Sequence, residues 1–236
     1  MKVITVSNVA GGVGKTTSAH AIAVASVEYG KKVLLIDADP GAGLTFSCGI
    51  ENPRLSSLEY LSGEFPLESA LLKTTERFNF LPASTRLSTL NIDESITAER
   101  FREAMRDFDL VIVDTATGPN RLATYFLALA DLVLIPTTLE ILSIRGALHT
   151  RDFATSSGHS RLPYLLITKE TNPLDVQIIA TLKGSFALLE PSIRNDVLVP
   201  DSQQQGSSVL TSQSNSGVAA DYREITYSLL EALEIF

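Results

Sequence analysis

The stretch SNVAGGVGKTT, Ser7 to Thr17, decides the fold of this chain. An apolar run, KVITVS, precedes it, and a helical pattern follows it from about Lys15 to Tyr29. Glycines let backbone N–H groups turn toward an anion, and a helix N-terminus favours negative charge. Lysine followed by threonine supplies side chains that reach the β- and γ-phosphates and Mg²⁺. The stretch therefore predicts a phosphate-binding loop between a strand and a helix.

The loop departs from the usual pattern in its first half. The pattern G-x-x-x-x-G-K-[ST] requires glycine at position 9, which is Val9. A known variant requires lysine at position 10, which is Ala10. The second half is intact, and we predict that it binds a nucleotide through Gly11, Gly12, Val13, Gly14, Lys15, Thr16 and Thr17.

The composition is that of an ordinary globular protein, with 236 residues, 44% of them apolar and 19% charged. This length fits a single domain, residues 1–236, with a sizeable core. We find no signal-peptide pattern and no apolar run of membrane-spanning length. The only cysteine is Cys48, which excludes a disulfide framework. We therefore expect a soluble cytoplasmic protein.

Strand-like and helical segments alternate along the chain. Strands are predicted at 2–7, 32–37, 77–83, 109–114, 131–137, 162–168 and 196–199. Helices are predicted at about 15–29, 97–106, 120–129, 139–157, 174–189 and 218–235. The polar stretch Asp201–Gly217 fits either a surface loop or a border of the ligand site. The alternation predicts a three-layer α/β fold, a mostly parallel twisted sheet with helices on both faces.

Three aspartates stand at the ends of predicted strands. Asp37 and Asp39 follow VLLI, and Asp114 ends LVIVD. Because ligands lie outside the carboxyl ends of such strands, we expect these acids beside the phosphate loop. Aspartates there hold Mg²⁺, directly or through water, or orient an attacking water. For Asp37 or Asp39 taken alone, a turn or helix-cap role is the alternative.

Together, GGVGKTT, VLLIDADP and DLVIVDT resemble the ParA/MinD family of deviant Walker-type ATPases, a group of P-loop NTPases. The resemblance covers most of the chain and weakens after about residue 170. It implies ATP and Mg²⁺ as ligands, slow hydrolysis stimulated by a partner protein, and a face-to-face homodimer around its nucleotides. It also implies a role in partitioning plasmids or chromosomes, or in positioning a protein cargo or the division site.

The resemblance also assigns roles to individual residues. Carried over, Lys15 is the phosphate lysine, and Asp39 would orient the attacking water, so these two form the catalytic set. Thr16 is the Mg²⁺ ligand, and Asp37 and Asp114 would be the acids on the Mg²⁺ side.

One departure concerns catalysis. The family's signature lysine belongs at position 10, where it reaches the partner's nucleotide across the dimer, and this chain has Ala10. A comparable arginine finger contributes a factor of about 10³–10⁵ in rate. We therefore predict that nucleotide binds while hydrolysis, and the ATP-dependent dimer with it, is weakened.

Three explanations of Ala10 stay open. In the first, another basic residue replaces the lysine; this is favoured because some cargo-positioning members of the family also lack it. In the second, the chain is a nucleotide-gated switch with little catalysis. In the third, Ala10 is an introduced substitution. The candidate replacements are Arg121, Arg145, Arg151 and Lys169.

The segment LLITKETN lies where a base-recognition loop would be. It has Thr171 where the guanine-binding pattern T-K-x-D has aspartate, so adenine is favoured. A plain strand-end loop explains the segment equally well. A relative of the nitrogenase iron protein would need two cluster cysteines per chain, and Cys48 is alone.

The charge distribution limits the partners. ParA-type members bind DNA through basic residues late in the chain, but from Gly184 onward only Arg194 and Arg223 are basic, against seven acids. Non-specific DNA binding is therefore weakly supported. It would need another face, such as Arg100, Arg102 and Arg106, for which a solvated helix face is the simpler interpretation. The acidic C-terminus lacks the basic face of a membrane-binding helix, so we expect no membrane contact.

Two functions from different classes fit these observations. The first is an ATPase that works as a nucleotide-controlled dimer with a small ParB-like or cargo-adaptor protein. The second is a non-hydrolysing, nucleotide-binding regulatory module on the same fold.

Overall fold

The computed structural model describes residues 1–90, 97–171 and 176–236. The strands in these ranges are β1 (Lys2–Val6), β2 (Val33–Ala38), β3 (Leu72–Lys73), β4 (Asn79–Leu81), β5 (Leu110–Thr115), β6 (Leu132–Thr137), β7 (Tyr164–Ile167) and β8 (Ala187–Leu188). They form one sheet in the order β3-β4-β2-β5-β1-β6-β7-β8. The described pairings are parallel except that of β3 with β4. The strand that leads into the glycine-rich loop is therefore near the middle of the sheet.

Helices fill the connections. They are α1 (Lys15–Glu28), α2 (Gly43–Ser47), α3 (Ser57–Leu61), α4 (Leu67–Ala70), α5 (Ala98–Ala104), α6 (Arg121–Leu129), α7 (Ile141–Ser156), α8 (Val176–Lys183), α9 (Leu198–Gln204), α10 (Val209–Ser212) and α11 (Gly217–Ala232). A 3₁₀ turn spans Thr85–Thr89. No helix among the described residues is long and apolar enough to cross a bilayer.

The core lies on both faces of the sheet because successive strand side chains point to opposite faces. On one face, Ile4 of β1 packs in a cluster with Ile22 of α1 and Leu229 of α11. On the other face, Val3 packs in a cluster with Phe101 of α5 and Phe126 of α6. α7 and α8 extend this second layer over β6 and β7. The predicted three-layer α/β architecture is confirmed.

The register brings the predicted acids together. Asp37 of β2 pairs directly with Asp114 of β5, and Asp114 in turn pairs with Val6, the last residue of β1. The phosphate loop therefore leaves the sheet beside Asp114, with Asp37 one strand further away.

Several predicted elements differ from the structure. The helix predicted at 174–189 ends at Lys183, and β8 follows at Ala187–Leu188; residues 174 and 175 lie outside the described ranges. The strand predicted at 196–199 is wrong, because Leu198 begins α9. Its apolar run favoured a strand, but a proline within the first helical turn, here Pro200, is compatible with a helix.

The polar stretch 201–217 is not a plain loop either, since it contains most of α9 and all of α10. Ser208 starts α10 by accepting a hydrogen bond from the N–H of Leu210, and Ser216 starts α11 in the same way through Ala219. The serines that suggested a loop are helix N-caps. The helices between 43 and 70 and the edge strand β3 were not predicted.

Candidate functional site

The glycine-rich loop joins β1 to α1. Gly12 and Gly14 have φ values of 71° and 85°, which a side chain disfavours, and Gly14 is the N-cap of α1. The loop thus places backbone N–H groups and the positive end of a 14-residue helix at one point. This arrangement suits a phosphate group.

The first half of the loop is fixed to β6 and α7. The side chain of Asn8 donates from Nδ2 to the carbonyl of Pro136 at 2.8 Å and accepts from the N–H of Ala10 at 2.9 Å. The N–H of Val9 donates to Oγ1 of Thr150 on α7 at 2.9 Å. A Cβ added at Gly146 would lie 2.8 Å from Cβ of Ala10, so α7 touches the loop at this glycine.

Lys15 is poised inside the loop. Its side chain is buried, and Nζ donates to the carbonyl of Ala10 at 3.0 Å. Burial lowers the pKa of Lys15, while the negative charges of Asp114 and Asp39 oppose this shift. An anion bound in the loop would replace the carbonyl as partner of the ammonium group and favour its charged form.

Thr16 and Asp114 form the polar floor of the site. Thr16 Oγ1 donates to Asp114 Oδ2 at 2.7 Å. The other carboxylate oxygen, Oδ1, is buried and has no hydrogen-bond partner among the described residues. Burial, followed by the nearby charge of Asp37, raises the pKa of Asp114 well above its ordinary value. A buried carboxylate oxygen without a partner, next to a threonine hydroxyl, fits a divalent cation or a water bound to one.

Asp37 lies beside Asp114, but both of its oxygens accept hydrogen bonds within the chain. Oδ2 accepts from the N–H and the hydroxyl of Thr45 at 2.9 and 2.7 Å, and Oδ1 accepts from the N–H of Asp39 at 3.0 Å. Burial raises the pKa of Asp37 to about 6. Asp37 therefore anchors α2 in this structure, and its assignment to the Mg²⁺ side stays a prediction.

Asp39 is half-buried at the rim. Its Oδ1 accepts from the N–H of Gly41 at 2.8 Å, which forms a tight turn. No group of three or more His, Cys, Asp or Glu side chains in the described ranges is arranged to hold a metal ion. A Mg²⁺ ion here would therefore depend on phosphate and water oxygens in addition to Thr16 and Asp114.

A cavity of about 620 Å³ opens over the loop, within the size range of small-molecule sites. Most of the predicted residues line it, namely Gly12, Val13, Gly14, Lys15, Thr16, Thr17 and Asp39. Gly11 is exposed and does not line the cavity. Asp37 and Asp114 are buried and do not line it either. The structure therefore assembles the predicted phosphate and acid residues in one place.

The opposite wall was not predicted. It comes from residues 193–200, of which all but Leu198 line the cavity, together with Gln203 and Tyr222. Gln203 Nε2 donates to Thr17 Oγ1 at 2.9 Å and so connects α9 to the phosphate helix. Arg194 braces this wall through a bidentate ion pair with Asp221. The sequence pointed to this wall only through the polar stretch that begins at Asp201, for which a border of the ligand site was one of two interpretations.

The four candidate replacements for the missing lysine lie in different surroundings. Lys169 is the one of the four that lines the cavity. Arg151 pairs with Asp152 and stacks on Phe186, while Arg121 and Arg145 are exposed. On the alternative DNA face, Arg102 pairs with Asp131 and Arg106 with Glu103.

The model of the family described as an AAA domain (AAA_31) matches residues 1–156. The chain belongs to this AAA-domain family. An uncharacterized ATP-binding protein of Methanocaldococcus jannaschii is 36% identical over 158 residues, 66% of this chain and 60% of that protein. The chromosome-partitioning ATPase Soj of Thermus thermophilus is 35% identical over 61% of this chain and 57% of Soj. The matches thus span about three fifths of these two relatives.

Longer but weaker similarity reaches the rest of the chain. The chromosome partitioning protein ParA of Caulobacter vibrioides is 28% identical over 89% of this chain and 86% of ParA. The resemblance to the ParA/MinD family of P-loop ATPases is confirmed by these relatives. The AAA-domain family to which this chain belongs thus includes chromosome-partitioning proteins among its relatives.

Solved structures share the whole architecture. A cobyrinic acid a,c-diamide synthase from Mycobacterium smegmatis with bound ADP and magnesium has a TM-score of 0.81 at 26% identity, covering 99% of this chain and 96% of that one. The cell division ATPase MinD of Pyrococcus furiosus has a TM-score of 0.81 at 19% identity, with 98% and 99% coverage. Apo McdA of Cyanothece has a TM-score of 0.82 at 20% identity, covering 97% of this chain and 99% of that one. At these identities, the last two show the fold alone.

Proposed function

We propose that this AAA-domain protein binds ATP with Mg²⁺, hydrolyses it slowly, and dimerises with nucleotide to partition DNA or to position a cellular cargo. The observation that carries the proposal is the pair Thr16–Asp114 beneath the phosphate loop, with Asp114 Oδ1 buried and without a partner. Lys15 stands at the same point. The ADP and magnesium of the diamide-synthase structure support the choice of ligands.

The chain's own residues would divide the work as follows. The N–H groups of Gly12 to Thr17 bind the phosphates, and Lys15 exchanges the carbonyl of Ala10 for a phosphate oxygen. Thr16 and Asp114 hold the cation, whose chemistry is to neutralise the charge of the phosphates. Asp39, at the rim, accepts a hydrogen bond from the attacking water and orients it.

Hydrolysis is expected to be slow because the site lacks the second lysine. Ala10 contributes no charge, and its Cβ faces Gly146 of α7. A cation on the transferred phosphate stabilises the transition state more than the ground state, so its loss lowers turnover more than binding. Nucleotide affinity, which depends on Lys15, Thr16 and the loop N–H groups, is retained.

An exposed apolar pair supports a dimer through the nucleotide face. Ile141 and Leu142 begin α7 and are 74% and 70% exposed. Gly146, about one helical turn further along, is the residue that touches Ala10. The pair therefore lies close to the phosphate loop, where a second copy bound across the nucleotides would cover it.

The experiment is to measure binding, turnover and mass together. Purified protein is titrated with ATP and ADP in the presence of Mg²⁺, steady-state phosphate release is followed, and the mass is determined by light scattering. We expect binding of both nucleotides, slow turnover that Asp39→Ala abolishes while ATP remains bound, and a dimer with ATP. Tight binding without turnover, alone or with a small partner encoded beside the gene, would establish the non-hydrolysing regulatory module instead.

The dimer face has its own test. Leu142→Asp should weaken the ATP-dependent dimer by about tenfold or more, because a charge would replace an apolar contact at an interface centre. Nucleotide binding by the monomer should be unchanged. Leu162→Asp is the matched control, since Leu162 is also exposed, at 53%, but precedes β7 at the opposite end of the sheet. If both variants dimerise equally well, α7 is not part of the interface.

A further inference from the structure

Another cavity, of about 240 Å³, opens at the end of the sheet opposite the phosphate loop. It is lined by Leu132, Tyr164 and Ala187, the first residues of the parallel strands β6, β7 and β8. The phosphate loop instead follows the last residue of β1, which runs parallel to β6. Drug-sized ligands occupy cavities of about 300–1,000 Å³, so this cavity suits a smaller molecule.

A buried histidine in the lining has a nitrogen without a partner. His159 is 5% exposed, and its Nε2 makes no hydrogen bond with the described residues. Burial lowers the pKa of His159, and a hydrogen bond to the backbone of Ala130 opposes this shift, as a carbonyl that accepts the ring N–H does. A neutral imidazole that donates from one nitrogen has a lone pair on the other. Because buried acceptors normally have a donor, Nε2 is suited to an N–H or O–H group of a ligand.

Two opposite charges line the same cavity, but they do not pair with each other. Arg161 is exposed and forms no ion pair with any residue that the structure describes. Asp131 uses Oδ2 to accept from the N–H of Val3 at 2.8 Å and from Arg102 at 3.4 Å. Both charges are close enough to His159 to shift its pKa, Arg161 downward and Asp131 upward. A guanidinium group and the second oxygen of a carboxylate, Oδ1 of Asp131, therefore remain for a ligand.

The cavity also offers an aliphatic surface. Leu132 and Leu233 are buried in its lining, and Leu162, which precedes β7, is exposed beside them. A small molecule that matches this lining carries an anionic group, a cationic donor and an aliphatic chain.

We propose that this cavity binds a free α-amino acid with an aliphatic side chain. Arg161 binds the carboxylate, while Oδ1 of Asp131 and Nε2 of His159 accept hydrogen bonds from the ammonium group. The three leucines contact the side chain. A simple carboxylate would leave Nε2 without a donor, and a simple amine would leave Arg161 without an anion. The site is separate from the nucleotide cavity and does not depend on the proposed function.

The test compares an amino acid with analogues that lack one of its charged groups. Calorimetry without nucleotide measures the binding of L-leucine, of 4-methylpentanoate, which lacks the amino group, and of 3-methylbutylamine, which lacks the carboxylate. The proteins are the wild type, Arg161→Gln, Asp131→Asn, Ala232→Phe and the control Lys73→Gln. Ala232 is exposed at the end of α11 and lines the cavity, so phenylalanine there reduces its volume. Lys73 is an exposed lysine on β3, at the other edge of the sheet.

We expect the wild type to bind L-leucine with a Kd of about 0.1–1 mM, and each analogue about tenfold more weakly. Arg161→Gln should weaken leucine about tenfold but change 3-methylbutylamine by less than about twofold, because the amine has no carboxylate to lose. Asp131→Asn, whose side-chain oxygen can still accept from Val3, should weaken leucine about tenfold and leave 4-methylpentanoate within about twofold. Ala232→Phe should abolish binding, and Lys73→Gln should match the wild type.

Three results would overturn the inference. If the wild type shows no binding of leucine up to about 10 mM, the cavity is not an amino-acid site. If 4-methylpentanoate binds as tightly as leucine, the cavity recognises an anion and not an amino acid. If Arg161→Gln and Asp131→Asn both bind leucine like the wild type, leucine binds elsewhere. ATP binding by the same proteins tests the proposed function separately, since none of the substituted residues lines the nucleotide cavity.

Discussion

Replacing Gly146 with alanine tests whether α7 controls the phosphate loop. The new Cβ would lie 2.8 Å from Cβ of Ala10, 2.9 Å from Oδ1 of Asn8 and 3.2 Å from the N of Ala10. Carbon atoms in favourable contact are about 3.5–4.0 Å apart. α7 and the loop must therefore separate by about 1 Å, which strains the hydrogen bond between the N–H of Val9 and Thr150.

The magnitude follows from two opposing effects. Overpacking a close contact costs about 1–3 kcal/mol, while glycine to alanine within a helix such as α7 stabilises by about 0.5–1 kcal/mol. The net loss in the free energy of unfolding should be about 1 kcal/mol. Because the displaced residues are part of the loop, ADP affinity should also fall, by about tenfold, which corresponds to about 1.4 kcal/mol.

Urea unfolding and ADP calorimetry measure the two effects. Gly184→Ala is the control, because its nearest neighbour, the carbonyl of Thr181, would be at an ordinary 3.6 Å. Adding Ala10→Gly to Gly146→Ala removes the closest contact and should restore part of both losses, giving a coupling energy of about 0.5 kcal/mol or more. If Gly146→Ala is as stable as the wild type and binds ADP equally well, the packing argument is refuted.

Two further predictions concern stability. Glu76 is buried, pairs with His20 at 2.5 Å and accepts from the N–H of Ser208 at 2.9 Å, so Glu76→Gln should cost about 3 kcal/mol in urea unfolding; a loss under about 1 kcal/mol would contradict this. The pKa of Asp37 is raised from 3.8 to about 6, so the folded state binds the extra proton. Stability without ligand should therefore fall by on the order of 2 kcal/mol as pH rises from 4 to 6, a slope that Asp37→Asn should flatten.

The sequence predicted the residues whose chemistry is local. The glycines, Lys15 and Thr16 form the loop through their order along the chain, and Asp37, Asp39 and Asp114 follow from the ends of two apolar strands. To recognise these patterns, one needs only the residues adjacent in the sequence and the rule that ligands lie at the carboxyl ends of parallel strands. The sequence alone therefore predicts that these residues lie together at the carboxyl ends of the strands.

The remainder depends on contacts between distant segments. The wall at 193–200 reaches the loop because Glu170 pairs with Ile193 and Asn195, and no local pattern encodes that pairing. Val197 to Val199 favoured a strand by composition, yet tertiary packing makes Leu198 the start of a helix. The contact of Lys169 with Gly12 joins residues 157 positions apart, so its identity as a lysine was visible but its partner was not.

The position of β1 has a consequence for synthesis on the ribosome. β1, Lys2–Val6, leaves the ribosome long before the two strands with which it pairs, which begin at Leu110 and Leu132. Three later parts of the chain complete these surroundings: Lys169 contacts the loop, Gln203 contacts Thr17 of α1, and α11 packs against α1. The nascent chain therefore carries the whole glycine-rich loop long before that loop can hold a nucleotide. Ligand added during translation should protect from proteolysis only chains that already contain α11, Gly217–Ala232.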